Sequence, residues 1–249
     1  MGGRGWRNAL RSVVSTILDA AMPASCVTCG RTGDPICDWC LDTIPPISGP
    51  TCDVCGGPLL SSPAAGATVT CGSCQDAGSD MPRTRPAATF DGTIREAIHA
   101  LKYRDRPDVA RRLAALLEEP ARSVSAGTRP VVVPIALHPR RLDVRGYDQS
   151  GLLATYLARE CGWVVMEALA RVRDTSTQVG LGRVARRANV AGAFAATTRL
   201  DGMHIVLVDD VLTTGATLIE ASRACRSAGA ASVVATCLAR DVATAIAAP

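Results

Sequence analysis

The stretch VLVDDVLTTGAT, residues 206 to 217, joins an apolar strand, two carboxylates and a hydroxyl-rich turn in unbroken order. Asp209 and Asp210 follow the apolar residues directly, and two adjacent carboxylates can accept hydrogen bonds from a vicinal diol. The turn after them supplies hydroxyls and N–H groups at a helix start, which suits a monophosphate. The alternative is an acidic strand end with a threonine N-cap. The unbroken order favours a ligand site, whose turn consists of Thr213, Thr214, Gly215, Ala216 and Thr217.

Outward from this stretch, apolar strands alternate with amphipathic helices. The predicted strands are 131–137 (VVVPIAL), 204–211 (HIVLVDDV) and 231–240 (ASVVATCLAR), with a short one inside 163–171. The predicted helices are 91–103, 106–119, 149–162 and 214–229. Strands that are nearly all apolar indicate a parallel sheet covered on both faces. The predicted fold class is therefore α/β, with ligands expected beyond the carboxyl ends of the strands.

Eight of the eleven cysteines lie in the first third of the chain, all in C-x-x-C pairs. They are Cys26, Cys29, Cys37, Cys40, Cys52, Cys55, Cys71 and Cys74. Two such pairs can complete a tetrahedral sulfur shell around one ion. The spacing therefore predicts two structural zinc ions, which stabilise the fold rather than activate water because no coordination position is open.

Other readings of the cysteines compete with zinc. Disulfides fit a secreted chain, but no export signal is visible. Redox C-x-x-C pairs lie where a strand meets a helix, whereas these pairs are flanked by glycine and proline. Zinc is favoured, but the pairing stays open. Sequential pairing is simplest, yet the gap between Cys29 and Cys37 is tight, and a cross-braced arrangement is the alternative.

Three segments are predicted: an amphipathic helix over residues 1–25, a double zinc ribbon over 26–82, and a larger α/β domain over 83–249. The helix is predicted because apolar residues recur at helical spacing and Asp19 interrupts the apolar patch that a signal peptide would need. No run of 18 apolar residues occurs, so no membrane span is expected. The expected location is the cytoplasm.

Charge divides between the ribbon and the larger domain. Residues 1–82 hold 4 basic and 7 acidic residues, whereas residues 83–249 hold 23 and 16. The basic excess of the larger domain suits phosphate-bearing ligands and nucleic acid equally. With 3 Trp, 3 Tyr and 2 Phe in the chain, a stacking platform for single-stranded nucleic acid is not favoured.

Several segments resemble the competence protein F (ComF) family, in which a double zinc ribbon precedes a type I phosphoribosyltransferase domain. They are CVTCG, CDVCGGP, IREAIHALKYR, VPIALHPRRLDVRGYDQSGLLA, TQVGLGRVARRANVAGAF and the 206–217 stretch. The resemblance covers essentially the whole chain. One departure is Asp148, where the family commonly has Asn, and it adds a charge close to the expected pyrophosphate region.

The resemblance implies binding of phosphoribosyl pyrophosphate with Mg²⁺ and transfer of phosphoribose to an unidentified base or amine. Asp209 and Asp210 are expected to bind the ribose as the catalytic pair. The turn over residues 213–217 is expected to bind the 5′-phosphate. The pyrophosphate loop is expected just after 131–137, with Arg140, Arg141 and Arg145 as candidates. The family also implies an alternative function, the handling of single-stranded DNA taken up in natural transformation, with the competence machinery as a partner.

The remaining candidates have two interpretations each. Residues 173–189 fall where type I enzymes keep a mobile loop, so Gln178, Arg186 and Asn189 either close on the ligand or lie on the surface. Lys102, the only lysine, either faces phosphate or extends from its helix to solvent. The histidines lack ligand-like spacing and are expected to be structural; they are His99, His138 and His204.

Overall fold

The computed structural model describes residues 25–59, 68–173 and 190–242. Its strands are β1 (Thr84–Thr89), β2 (Val131–Pro134), β3 (Val164–Val165), β4 (Leu169–Arg171), β5 (Phe194–Ala196), β6 (His204–Leu212) and β7 (Ser232–Arg240). Five of them form a parallel sheet in the order β1, β7, β6, β2, β3. The other two, β4 and β5, form an antiparallel pair. The predicted α/β class with a parallel sheet is confirmed.

Eight α-helices lie within these ranges. They are α1 (Asp38–Asp42), α2 (Gly72–Ala77), α3 (Gly92–Tyr103), α4 (Val109–Ala115), α5 (Glu118–Val124), α6 (Pro139–Arg145), α7 (Gln149–Cys161) and α8 (Ala216–Ser227). In this part of the chain no helix is both long enough and apolar enough to cross a bilayer.

Alternate residues of β6 face opposite sides of the sheet, as the geometry of a strand requires. Val206 and Val208 lie in the apolar core under α3, α4, α5 and α7. Ile205 and Leu207 lie in the core under α8 and the β4–β5 pair. All four side chains are fully buried, so β6 needs helices on both faces to keep its apolar residues from water.

The two cysteine segments join different cores. Cys26, Cys37 and Cys40 pack in the core under α3 and α4. Cys52 and Cys55 pack on the other face of the sheet, in the core under α8. The predicted boundary between residues 82 and 83 stays a prediction, and the helix predicted over 1–25 lies almost wholly outside the described residues.

The apolar pattern of the sequence does not predict strand β1. Its sequence, TRPAAT, contains few large apolar residues and includes Pro86, which cannot donate a backbone hydrogen bond. β1 is nevertheless paired with β7 in parallel. The proline is tolerated because β1 is an edge strand.

Two predicted segments are corrected by the structure. The helix predicted over 106–119 is instead the pair α4 and α5. Pro120 lies in the first turn of α5 and has no N–H to continue the hydrogen bonds of α4, so a break before it is expected. The basic stretch after β2, predicted as a loop, forms α6, which begins at Pro139 and ends before Gly146 with φ 79°.

Candidate functional site

The carboxyl ends of β2 and β6 lie side by side at the centre of the sheet. The register pairs Val131 with Ile205 and Pro134 with Val208, and the N–H of Ile135 donates to the carbonyl of Val208 at 3.0 Å. From β2 the chain leads to β3 at one edge, and from β6 it leads to β7 on the other side. Such a switch point opens a crevice at the strand ends, where ligands of α/β sheets bind.

Asp209 and Asp210 lie within β6, which continues to Leu212. Asp210 is 4% exposed, whereas Asp209 is half-buried. Because neighbouring residues of a strand face opposite sides, the two carboxylates leave the sheet in different directions. The N–H of Asp210 donates to Oδ1 of Asp209 at 2.9 Å, which connects them at the crevice.

Both oxygens of Asp210 are engaged by side chains from the helices below it. Nζ of Lys102 lies 2.6 Å from Oδ1, and Nε2 of Gln149 donates to Oδ2 at 3.1 Å. Arg145 in turn donates to the side-chain oxygen of Gln149. Lys102 therefore points to Asp210 and does not extend to solvent, so the second interpretation of it is wrong, whereas a role towards phosphate stays a prediction. Gln149 was not predicted, since a glutamine at a helix start carries no signal of its own.

The charged groups of this cluster shift one another's pKa values. Burial, and next the charge of Asp210, raise the pKa of Asp209 to about 7, although Lys102 acts in the opposite direction. Burial alone would lower the pKa of Lys102, but the nearby carboxylates outweigh it, and that pKa is raised. Lys102 thus stays charged at neutral pH, and the raised pKa of Asp209 brings its ionisation into the neutral range.

The turn after β6 has the shape that the sequence predicted. Gly215 has φ 79° and precedes α8, and its carbonyl accepts from the N–H of Ile219 at 2.9 Å. Thr213, Thr214 and Thr217 are half-buried around the start of the helix. Because the first N–H groups of a helix lack partners within it, α8 presents hydrogen-bond donors beside these three hydroxyls.

The three candidate arginines lie on α6, directly after β2. Arg140 is exposed and Arg141 half-buried in the first turn, which His138 caps by accepting from the N–H of Arg140 at 3.3 Å. Arg145 closes the helix, and its guanidinium lies 5.8 Å from the ring centre of Tyr103. Arg145 is linked to Asp210 through Gln149.

Asp148, the departure noted in RGYDQ, acts as a helix cap. Its side chain accepts from the N–H of Ser150 at 3.0 Å at the start of α7. Burial raises its pKa and the charge of Asp210 adds to this, whereas backbone N–H groups, among them that of Leu137, act in the opposite direction. The carboxylate therefore ties the exit of β2 to α7.

The eight cysteines form two tetrads, each with its sulfur atoms within 4.8 Å of one another. They are Cys26, Cys29, Cys37 and Cys40, and Cys52, Cys55, Cys71 and Cys74. The pairing is thus sequential. Sulfur atoms lie 3.7 Å apart between Cys29 and Cys37 and 3.8 Å between Cys55 and Cys71. Zn–S bonds of about 2.3 Å in a tetrahedron place sulfurs about 3.8 Å apart, so both tetrads fit zinc.

The other predicted residues differ in outcome. Gln178, Arg186 and Asn189 lie outside the described residues. His99 packs between the rings of Phe90 and Tyr103, at 6.0 and 5.8 Å between centroids. His204 shares a hydrogen bond of 2.8 Å with Ser232. With His138 capping α6, all three histidines have the structural contacts expected of them.

Comparison with known proteins agrees with this architecture. A phosphoribosyl transferase domain family matches residues 99–247, and a double zinc ribbon domain family matches residues 17–75. The DNA utilization protein YhgH of Salmonella typhimurium is 33% identical over 191 residues, 74% of this chain and 84% of the relative. Competence protein F of Haemophilus influenzae is 29% identical over 205 residues, 78% of this chain and 85% of the relative.

The chain belongs to the ComF family. The resemblance predicted from the cysteine pairs and the 206–217 stretch is therefore confirmed. Among solved structures, this ComF protein is similar to the glutamine phosphoribosylpyrophosphate amidotransferase of B. subtilis in complex with ADP and GMP. The identity is 22% with a TM-score of 0.32, over 64% of this chain and 30% of that enzyme.

Proposed function

We propose that this ComF protein binds phosphoribosyl pyrophosphate with Mg²⁺ at the carboxyl ends of β2 and β6 and transfers its phosphoribosyl group to a base or amine. One observation carries the proposal. Two carboxylates, a threonine-rich turn at a helix start and the arginines of α6 all border one switch point of a parallel sheet. A ligand with a diol, a terminal phosphate and a diphosphate matches these three groups of donors and acceptors.

The ribose is assigned to the two aspartates. Each carboxylate oxygen has more than one lone pair, so Asp210 can accept from a ribose hydroxyl while Lys102 and Gln149 hold it in place. Asp209 is the more accessible of the pair. The turn Thr213 to Thr217 is assigned to the 5′-phosphate, because its hydroxyls and the first N–H groups of α8 converge there.

The diphosphate is assigned to the arginines of α6. Transfer breaks the bond between C1 of the ribose and a pyrophosphate oxygen, which keeps the electron pair, and forms a bond from C1 to the nitrogen of the base or amine, which releases its proton. Arg140, Arg141 and Arg145 can bind the leaving pyrophosphate, whose charge grows as the bond breaks. Carboxylate and phosphate oxygens are the ligands that Mg²⁺ prefers, and when bound with the diphosphate this ion would offset part of the charge.

Calorimetric titration of the zinc-bound protein with Mg²⁺ and phosphoribosyl pyrophosphate tests the proposal. We expect saturable binding, which Asp209→Asn weakens at least about tenfold because it loses a charged acceptor of ribose hydrogen bonds. Asp209 is preferable to Asp210 here, since Asp210 also stabilises the buried ion pair. Glu119→Gln, which changes an exposed carboxylate on α5, is the matched control.

Pyrophosphate release with a panel of bases and amines then separates transfer from binding. Wild-type protein that gives neither heat nor a thermal shift refutes the assignment.

Binding is also expected to depend on pH through Asp209. Its pKa is raised to about 7 by burial and by Asp210, and the ionised form accepts the ribose hydrogen bonds. As the pH falls below 7, Asp209 must lose a proton on binding, so affinity falls towards tenfold per pH unit; above about pH 8 it is level. The same titration with Asp209→Asn measures the pH dependence of affinity that comes from ionisation of the ligand, which is then subtracted. Identical pH profiles for the two proteins would contradict the role of Asp209.

A second candidate function is suggested by the names of the relatives, one of which is called a DNA utilization protein and another Competence protein F. The basic excess of residues 83–249 is compatible with the binding of single-stranded DNA. Anisotropy titrations with an oligonucleotide at several salt concentrations measure this, since phosphate contacts give a linear slope of log affinity against log salt. Binding that Asp209→Asn leaves unchanged would indicate a DNA surface separate from the strand-end crevice.

A further inference from the structure

Arg240, the last residue of β7, is a buried cation beside the turn assigned to phosphate. It is 2% exposed, and its Nη1 donates to the carbonyl of Leu212 at 3.3 Å and to that of Thr213. These carbonyls mark the point where β6 passes into the turn. A buried guanidinium that donates to two main-chain carbonyls instead of to water fixes the position of those carbonyls.

The same side chain borders the second cysteine tetrad. A Cβ placed on Gly57 would stand 3.3 Å from Nε of Arg240 and 3.4 Å from Sγ of Cys55, so both atoms line one small space. A zinc ion with four thiolates carries a net charge of about −2. A neighbouring cation stabilises a buried anion of this kind, and Nε of Arg240 is buried without a hydrogen-bond partner among the described groups. The second tetrad therefore fits a zinc ion whose charge Arg240 offsets.

A second contact reaches the turn from Met81, which follows Cys74 of the tetrad by seven residues. Met81 packs in the same core as Cys52 and Cys55. Its Sδ lies 2.9 Å from where a Cβ on Gly215 would stand, which means that the methionine touches the turn at its left-handed residue. Among the described residues, the buried cysteines of the first tetrad pack instead in the core on the opposite face of the sheet, away from this turn.

We propose that the second zinc site, through Arg240 and Met81, holds the turn Thr213 to Thr217 in its binding conformation. Arg240 is thus a positioning residue, and zinc in this tetrad is coupled to affinity for the ligand's phosphate. The identity of that ligand rests on the proposed function, whereas the coupling between zinc site and turn does not. The first zinc site stabilises the fold without this effect.

Hydrogen exchange of the unliganded zinc-bound protein tests the positioning role directly. In Arg240→Met we expect the amides of residues 212–217 to exchange at least about tenfold faster, because hydrogen bonds from a charged group are lost. Gly57→Ala, which places a methyl group between Arg240 and Cys55, should accelerate exchange by a smaller factor and serves if Arg240→Met does not fold. Arg111→Met, an exposed arginine on α4, should leave exchange unchanged. Exchange at 212–217 that neither Arg240→Met nor Gly57→Ala accelerates overturns the proposal.

Zinc removal from each site separately tests the coupling. Cys71→Ser in the second tetrad should accelerate exchange at 212–217 as Arg240→Met does, whereas Cys29→Ser in the first tetrad should not, with metal analysis confirming the loss of one zinc in each. Equal effects of the two variants on the turn overturn the coupling. Wild-type protein that fails to bind phosphoribosyl pyrophosphate, with these exchange differences intact, refutes the proposed function but leaves the positioning role standing.

Discussion

Replacing Lys102 with methionine is expected to lower the free energy of unfolding by about 3 kcal/mol. Its ammonium lies 2.6 Å from Oδ1 of Asp210, and the two side chains are 18% and 6% exposed. Methionine fills the space of the lysine stem but leaves the buried carboxylate without its cation. Gln149 remains as a neutral donor to Asp210, and it cannot offset the charge. Urea unfolding of the zinc-bound protein measures the loss.

The chain contains a matched control for this variant in the same region. Arg104 and Glu96 form an ion pair of 2.5 Å whose side chains are 50% and 46% exposed. Arg104→Met should therefore cost less than about 1 kcal/mol. Adding Asp210→Asn to Lys102→Met should recover part of the lost stability, because no unpaired charge is left. If the two single variants lose equal stability, the pair of Lys102 and Asp210 is not the buried contact that the structure shows.

Gly215→Ala is expected to lower the free energy of unfolding by about 2–3 kcal/mol. A left-handed φ of 79° costs a residue with a Cβ about 1–2 kcal/mol. The new methyl group would also stand 2.9 Å from Sδ and 3.2 Å from Cε of Met81, and because this flexible end of the methionine can shift, the overlap adds only about 1 kcal/mol. If the proposed function holds, affinity for phosphoribosyl pyrophosphate should fall as well.

Gly202→Ala separates the two contributions. Gly202 has φ 70°, but a Cβ there would meet nothing within 4 Å, so this variant carries the backbone cost alone, about 1 kcal/mol. In a Met81→Ala background, Gly215→Ala should cost little more than Gly202→Ala, since the overlap has gone. A cost at Gly215 that Met81→Ala does not reduce would show that the contact with the methionine is not the cause.

Local pattern was sufficient wherever a feature depends on neighbours in the chain. The apolar runs that became β6 and β7 and the helix over 149–161 were predicted within a few residues, because burial on one or both faces repeats with a fixed period. The cysteine spacing predicted two tetrads, and the strand, carboxylate and glycine order predicted the turn at Gly215. β1 was not predicted, since its pairing with β7 depends on a partner more than 140 residues away.

By itself, the sequence determined the α/β class, the ComF family, the eight metal-binding cysteines and the stretch from Val206 to Thr217. Each of these depends on residues that are close together in the chain, where the spacing of residue types predicts the local geometry. The tertiary structure alone decided that each tetrad is sequential, that Lys102 and Gln149 hold Asp210, and that Arg240 lies between the second tetrad and the turn. These contacts join residues of different elements, which only the folded packing brings together. A buried charge such as that of Asp210 needs partners, and neighbouring elements supply them.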